Sequence, residues 1–226
     1  MLGLEAAMAG VVAIYYLWPA GASVLTSYAA WLHSGGILAT ALAASLAGGV
    51  LSELSLVYIQ DGGRWTWIHL ERMIFNSAMF FISGAVVFEF YLLQAWLFGD
   101  GVTWRIVLPK LLVDQFGFTV FLVMPYQTLM TRWQALRYSG PKLWRELGWT
   151  FVLERMLPVL LTGWVFWFPC MGLIYSMPLM LQPALLIFGI ATWGLLMPAV
   201  ARQERAGRVA AGPILSGSEV LPEPAE

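Results

Sequence analysis

Residues 73–98 read MIFNSAMFFISGAVVFEFYLLQAWLF, and Glu89 is the only charged side chain among them. About 20 mainly apolar residues in a helix cross the roughly 30 Å of hydrocarbon in a bilayer. This stretch is long enough, and it points to an α-helical membrane protein. Working outward, apolar stretches recur at 5–31, 36–60, 105–131, 150–168 and 178–200. The expected fold is all-α, a polytopic transmembrane helix bundle of about six spans. Pro19, Gly21, Ser23 and Ser27 interrupt the first stretch, which reads as either a kinked span or an interfacial helix pair. The run from Phe168-Pro169-Cys170-Met171-Gly172 to Met177-Pro178 reads as a turn with two proline stops.

The composition agrees. Of 226 residues, 60% are apolar and 11% charged, whereas a soluble domain carries about 25% charged residues. A net charge of −1 gives no footprint for nucleic acid. Several of the 12 Trp fall near span ends, where an amphipathic indole prefers the headgroup region. Residues 1–20 hold Glu5 and no Lys or Arg, so no cleavable targeting signal is evident and the chain is expected to enter the membrane through its own first span. Three regions result: an N-terminal hydrophobic segment at 1–35, the membrane bundle at 36–200, and a tail at 201–226. The tail is rich in Gly, Pro, Ser, Ala and Glu and is expected to be disordered.

Charge sets the expected orientation. Six spans put Arg64, Arg72, Arg132, Arg137, Lys142, Arg145, Arg202, Arg205 and Arg208 on one side with both termini. The connections at 32–35, 99–104 and 169–177 contain no Lys or Arg. The positive-inside rule makes the basic side cytoplasmic or its equivalent. A four-span core with two shorter segments keeps the same parity. In the 132–149 loop, the run from Lys142 to Trp149 mixes apolar and basic residues. It reads either as a surface-lying segment or as an ordinary basic loop.

Ionisable residues within spans are costly and default to functional candidates. Here they are Glu53, Glu89, Lys110, Asp114, Glu154 and Arg155. Lys110 and Asp114 are four apart and share a helical face, with Gln115 alongside. One reading is a polar path walled by Glu53, Glu89 and Asp114. The other is a set of interhelical pairs that lock the bundle, each worth about 1 kcal/mol. Glu154 and Arg155 fall near an interface and read as anchors. Small residues at Ala44, Ala47, Gly48 and Gly49, and at Ser77, Ser83 and Gly84, allow close helix approach. Pro125, Pro158, Pro183 and Pro198 kink or end helices.

No HExxH, GxSxG, P-loop, paired CxxC or dinucleotide fingerprint is present. His33 and His69 sit on different segments near interfaces and read as loop or snorkelling residues. Cys170 falls in the expected turn and reads as a small filler. No metal, cofactor or enzymatic activity is expected.

Four segments resemble the Mpv-seventeen family, also called the twenty-two-kilodalton peroxisomal membrane protein family. Residues 84–93, with Phe90-Tyr91, are similar to its Gly-Pro…Trp-Tyr..Leu segment. Lys110 through Asp114-Gln115 is similar to its Lys…Asp-Gln pattern. Trp164 through Trp167-Phe168-Pro169, then Tyr175-Ser176-Met177-Pro178, resembles its Trp-Pro…Asn-Phe…Val-Pro segment. Trp193 takes the place of a late Trp. The likeness covers about 45–200. The sequence departs from the pattern with Ser52-Glu53 for a Gly-Asp pair, Ala85 for a proline, Gln182 for a basic residue, and a shorter Pro169–Pro178 spacing.

The resemblance implies a four-helix membrane core. It marks Glu53, Tyr91, Lys110, Asp114 and Gln115 as the positions to watch, with Trp193 as a further anchor. It also implies a bacterial plasma membrane, or an inner mitochondrial or peroxisomal one. The leading expectation for function is a small channel or transport protein for ions or small polar metabolites. The alternatives are an accessory protein that assembles with itself or a partner and, third, a lipid-handling enzyme. The expected partners are the bilayer, a second copy of the chain, and ions or small polar solutes.

Overall fold

The structure is a computed structural model that describes residues 2–194. Among these, every regular element is a helix. In chain order they are α1 (Leu2–Leu17), α2 (Pro19–Ser34), α3 (Gly36–Ile59), α4 (Trp67–Phe98), α5 (Trp104–Ala135), α6 (Gly140–Glu146), α7 (Trp149–Tyr175) and α8 (Leu179–Gly194). Four of them, α3, α4, α5 and α7, are long and apolar enough to cross a membrane. The 32 residues of α4 reach about 48 Å at 1.5 Å per residue.

The first expected span is broken. α1 and α2 meet at an angle of 108°. Pro19 opens α2, and a proline pushes the residue before it out of the helical region. Trp18 accordingly sits at φ −128°, ψ 102°. Neither half spans alone, so candidate spans number four, or five if the bent pair counts as one. α1 packs on α7, and α2 on the first turn of α8. Tyr16 donates its hydroxyl to the Ser176 carbonyl at 3.1 Å. The described part of the last expected span, α8, is shorter than a crossing requires. The rest of that span, the tail at 201–226, Pro198 and Arg202, Arg205 and Arg208 lie outside the described residues.

The expected turn at 168–178 is mostly helix. α7 runs through Pro169 to Tyr175, and the chain reverses only at 176–178 before Pro178. One proline removes one backbone hydrogen bond. Ending the helix would leave several backbone groups without partners, which an apolar setting punishes more heavily. Cys170 is therefore 0% exposed inside a helix, not in an open turn.

The closest packing is between α3 and α4. A Cβ on Gly48 would fall within the Phe80 ring, and one on Gly49 would strike the Ser77 backbone. At Gly84 it would meet the Ala44 methyl at 2.6 Å and the Ala41 Cα at 3.0 Å. Ala44, Gly48, Gly49, Ser77 and Gly84 of the small residues read from the sequence thus lie where the two helices touch, whereas Ser83 lines a cavity between α4 and α5. Three helices contain π-helical stretches, at Leu46–Leu51 in α3, Val113–Val123 in α5 and Val152–Met156 in α7.

The 136–148 connection contains α6, whose Lys142, Trp144 and Arg145 are exposed. Its last residue, Glu146, accepts two bonds from Arg132, at 2.6 Å and 2.7 Å. That guanidinium holds the Glu146 carboxyl below the ordinary carboxylate range. A lowered carboxyl contributes stability above its unfolded value and loses it as pH falls through the folded one. Acidification below the normal carboxylate range should therefore release α6, read as faster hydrogen exchange at 140–147. Unchanged exchange down to pH 3 would show that Arg132 does not hold it.

Packing gives a second expectation. Gly49→Val should destabilise the protein by about 1–3 kcal/mol through overpacking. Gly117→Ala, where a Cβ meets open space, should leave thermal unfolding in detergent unchanged or slightly raised. Equal melting temperatures for the two variants would refute the close α3–α4 contact.

Candidate functional site

Asp114 is the centre of a buried polar knot. Tyr175, at the end of α7, donates its hydroxyl to Asp114 Oδ2 at 2.5 Å. Thr119 Oγ1 and Gln115 Nε2 donate to Oδ1 at 3.1 Å and 3.3 Å. The Tyr91 ring from α4 meets the Tyr175 ring edge-on, with centroids 5.7 Å apart. Its hydroxyl and Gln115 Oε1 are buried without a hydrogen-bond partner in the protein. Two backbone-linked contacts frame the knot: Trp164 Nε1 donates to the Gln115 carbonyl, and Tyr126 Oη to the Met79 carbonyl.

The π-helical stretch explains this set of partners. Its hydrogen bonds run i to i+5, which turns residues five apart toward one side. Thr119, five beyond Asp114, thereby becomes its donor. Lys110 lies before the stretch, in regular α-helix. The expected Lys110–Asp114 pair is not formed, and among the described residues Lys110 is in no ion pair. Lys110 is 1% exposed, and its ammonium has no hydrogen-bond partner in the protein. Its backbone carbonyl accepts from Gln94 Nε2 at 3.0 Å.

Beside the knot is a cavity of about 360 Å³ between α4 and α5, closed at the back by α7 and α8. Asp114, Gln115, Tyr91 and Thr119 line it with Ser83, Tyr126 and Gln127. Phe118, Trp167, Met171 and Trp193 supply much of its apolar wall. Ile82 and Leu122 also line it while being 53% and 48% exposed, so the cavity opens on the outer face of the helices. Trp193, expected as an interface anchor, instead packs at 4.7 Å between ring centroids on Phe166 and forms part of this wall. Its neighbours in the core are aromatic, so its ring is held inward.

Glu53 belongs to a different cluster. Its Oε1 accepts from Arg72 Nη2 at 2.7 Å, Arg72 Nε at 3.1 Å and His69 Nδ1 at 2.8 Å. The other His69 nitrogen is 3.5 Å from Asp61 Oδ2. His69 is thus a buried bridge, not a loop or snorkelling residue. Glu89 is exposed on α4, beside the stacked Phe90 and Phe118 rings, in a shallow groove outside the main cavity. Glu154 and Arg155 are exposed near the start of α7. The candidate acids therefore occupy three separate environments and do not share a path within one chain.

Sequence reading missed Thr119, Tyr175 and His69 as partners. Tyr175 stood in a quoted motif, but only the folded chain brings it to Asp114 across 61 positions. Among the described residues, no three His, Cys, Asp or Glu side chains converge to hold a metal ion.

No protein-family model matches the chain, and no curated protein or solved structure matches it.

Tyr175→Phe keeps the ring and removes the donor, leaving Asp114 Oδ2 without its partner. The expected cost is about 1–3 kcal/mol, measured by denaturant unfolding in detergent. Wild-type stability would show that the bond does not support the fold.

Proposed function

We propose that the chain is a small membrane transport protein that binds its solute in the cavity at Asp114. The cavity itself carries this reading. It is within the usual size range of small-molecule sites, about 300–1,000 Å³, and combines an apolar wall with a few convergent polar groups. A buried acid inside a spanning helix commonly marks a solute or proton pathway. π-helical turns within α-helices are also frequent at functional sites, and Asp114 sits in one.

The proposed topology is six membrane segments. Four form the core, a bent N-terminal pair covers one end, and the segment that begins with α8 is the last. The Lys and Arg residues of 61–72 and 132–149 support an orientation with both termini on the cytoplasmic side or its equivalent. We also propose that the chain is a diverged relative of the Mpv-seventeen family in a bacterial or organellar membrane. Tyr91, Asp114, Gln115, Trp167 and Trp193 all come from segments that carry the resemblance, and all five line one cavity. That convergence supports the relation.

The separation of the acids favours a carrier-like site over an open acidic pore within a single chain. Glu53 is paired with Arg72 and hydrogen-bonded to His69, and Glu89 faces outward. An accessory role is the second reading, favoured by the Glu53–Arg72 pair, which locks α3 to α4.

Purified protein should be reconstituted in liposomes and planar bilayers, alongside Asp114→Asn and Glu89→Gln. Solute flux or current that Asp114→Asn reduces at least tenfold is the expected result. Absence of both, from protein shown to be folded, would reject transport and turn attention to partners.

A further inference from the structure

The cavity at Asp114 has an unbalanced chemistry. A carboxylate within the spans needs donors or a counter-charge. Asp114 has three neutral donors in Tyr175, Thr119 and Gln115. Among the described residues, no Lys, Arg or His forms an ion pair with it, and the nearest candidate in sequence, Lys110, is unpaired elsewhere. Gln115 Oε1 and the Tyr91 hydroxyl, both on residues lining the cavity, are buried without hydrogen-bond partners. The polar end of the cavity is therefore rich in acceptors.

The rest of the lining is largely apolar and includes the rings of Trp167, Trp193 and Phe118. Such a lining receives the apolar body of a small ligand, while a few convergent polar groups fix its orientation. The entrance passes Ile82 and Leu122, exposed apolar side chains on the face where a membrane helix meets lipid. A ligand that satisfies all of these features is a monocation with an apolar body.

Resting on the transport reading and narrowing it, we propose that this cavity binds an amphipathic organic ammonium ion. Its N–H groups meet Asp114, the Gln115 amide oxygen and the Tyr91 hydroxyl, and its apolar body lies against Trp167, Trp193 and Phe118. The ammonium supplies the counter-charge that none of the described residues does. An apolar body also allows entry from the side of the bundle, through the gap between α4 and α5.

The test uses the full chain in detergent micelles and three probes of matched shape: 2-phenylethylammonium, 2-phenylethanol and 3-phenylpropionate. Binding is measured by titration calorimetry and by the shift in thermal unfolding. The ammonium should bind at least tenfold more tightly than the alcohol, and the carboxylate should not bind. Asp114→Asn should reduce the preference for the ammonium over the alcohol to less than threefold. Ser83→Leu, which fills the cavity and leaves Asp114 with its donors, should abolish binding while unfolding as the wild type does. It keeps the test decisive if the Asp114 variant fails to fold.

Equal binding of ammonium and alcohol, no binding of the ammonium, or ammonium binding unchanged in Ser83→Leu would overturn the proposal. Competition by phosphatidylethanolamine but not phosphatidylglycerol in nanodiscs would identify a lipid amine as the source; no competition by either would identify a free amine. Flux separates this inference from the function on which it rests. Ammonium binding without flux of any solute keeps the site and rejects transport. Flux of other solutes with no preference for the cation keeps transport and rejects this ligand class.

Discussion

The Tyr175–Asp114 hydrogen bond joins α5 to α7 where a bilayer offers no competing donor. In water, a carboxylate that loses one partner finds another at little cost. Within hydrocarbon it does not, so the position of Asp114 dictates what must surround it. The π-helical stretch brings Thr119 round to the same oxygen set, Gln115 turns its amide inward, and Trp164 takes the Gln115 carbonyl. The cavity is what remains between α4 and α5 once these obligations are met. Its size and lining are therefore tied to one acid, and less to the bulk of the surrounding side chains.

Glu53 meets the same constraint differently. It draws a guanidinium and an imidazole onto one oxygen, close to the turn at 61–66. The Arg72–Glu53 pair makes that cluster a fastener between α3 and α4, next to the glycine contacts at Gly48 and Gly49. One acid is paired with a guanidinium and the other is left with neutral donors beside an open space. This contrast distinguishes the two acids more sharply than burial does, since both side chains are buried.

Hydropathy made α3, α4, α5 and most of α7 legible, because spanning length is a property of local composition. The small-residue faces of α3 and α4 were legible too, since close approach has few chemical solutions. Lys110 and Asp114 misled because i, i+4 reasoning assumes a regular helix, and the register changes at Val113. Pro169 misled because a proline that ends a helix in water can be carried inside one when the alternative exposes backbone to lipid. Tyr175 and His69 are contacts across long sequence separations, and a linear reading has no local signal for them. The bend at Trp18 was half legible: Pro19 marked the break but not its angle.

The enclosure of Cys170 has a practical corollary. The chain's only thiol sits on α7, within the core that Met8 of α1 and Leu185 of α8 also share. A reagent can reach it only when that packing opens, so its modification is a clock for local opening. When opening and closing are fast relative to modification, the rate reports the fraction of time spent open. When closing is slow, it reports the opening rate itself. The protein thus carries its own single-site probe of breathing in the α1–α7–α8 region, with no label to introduce and no background thiol to remove.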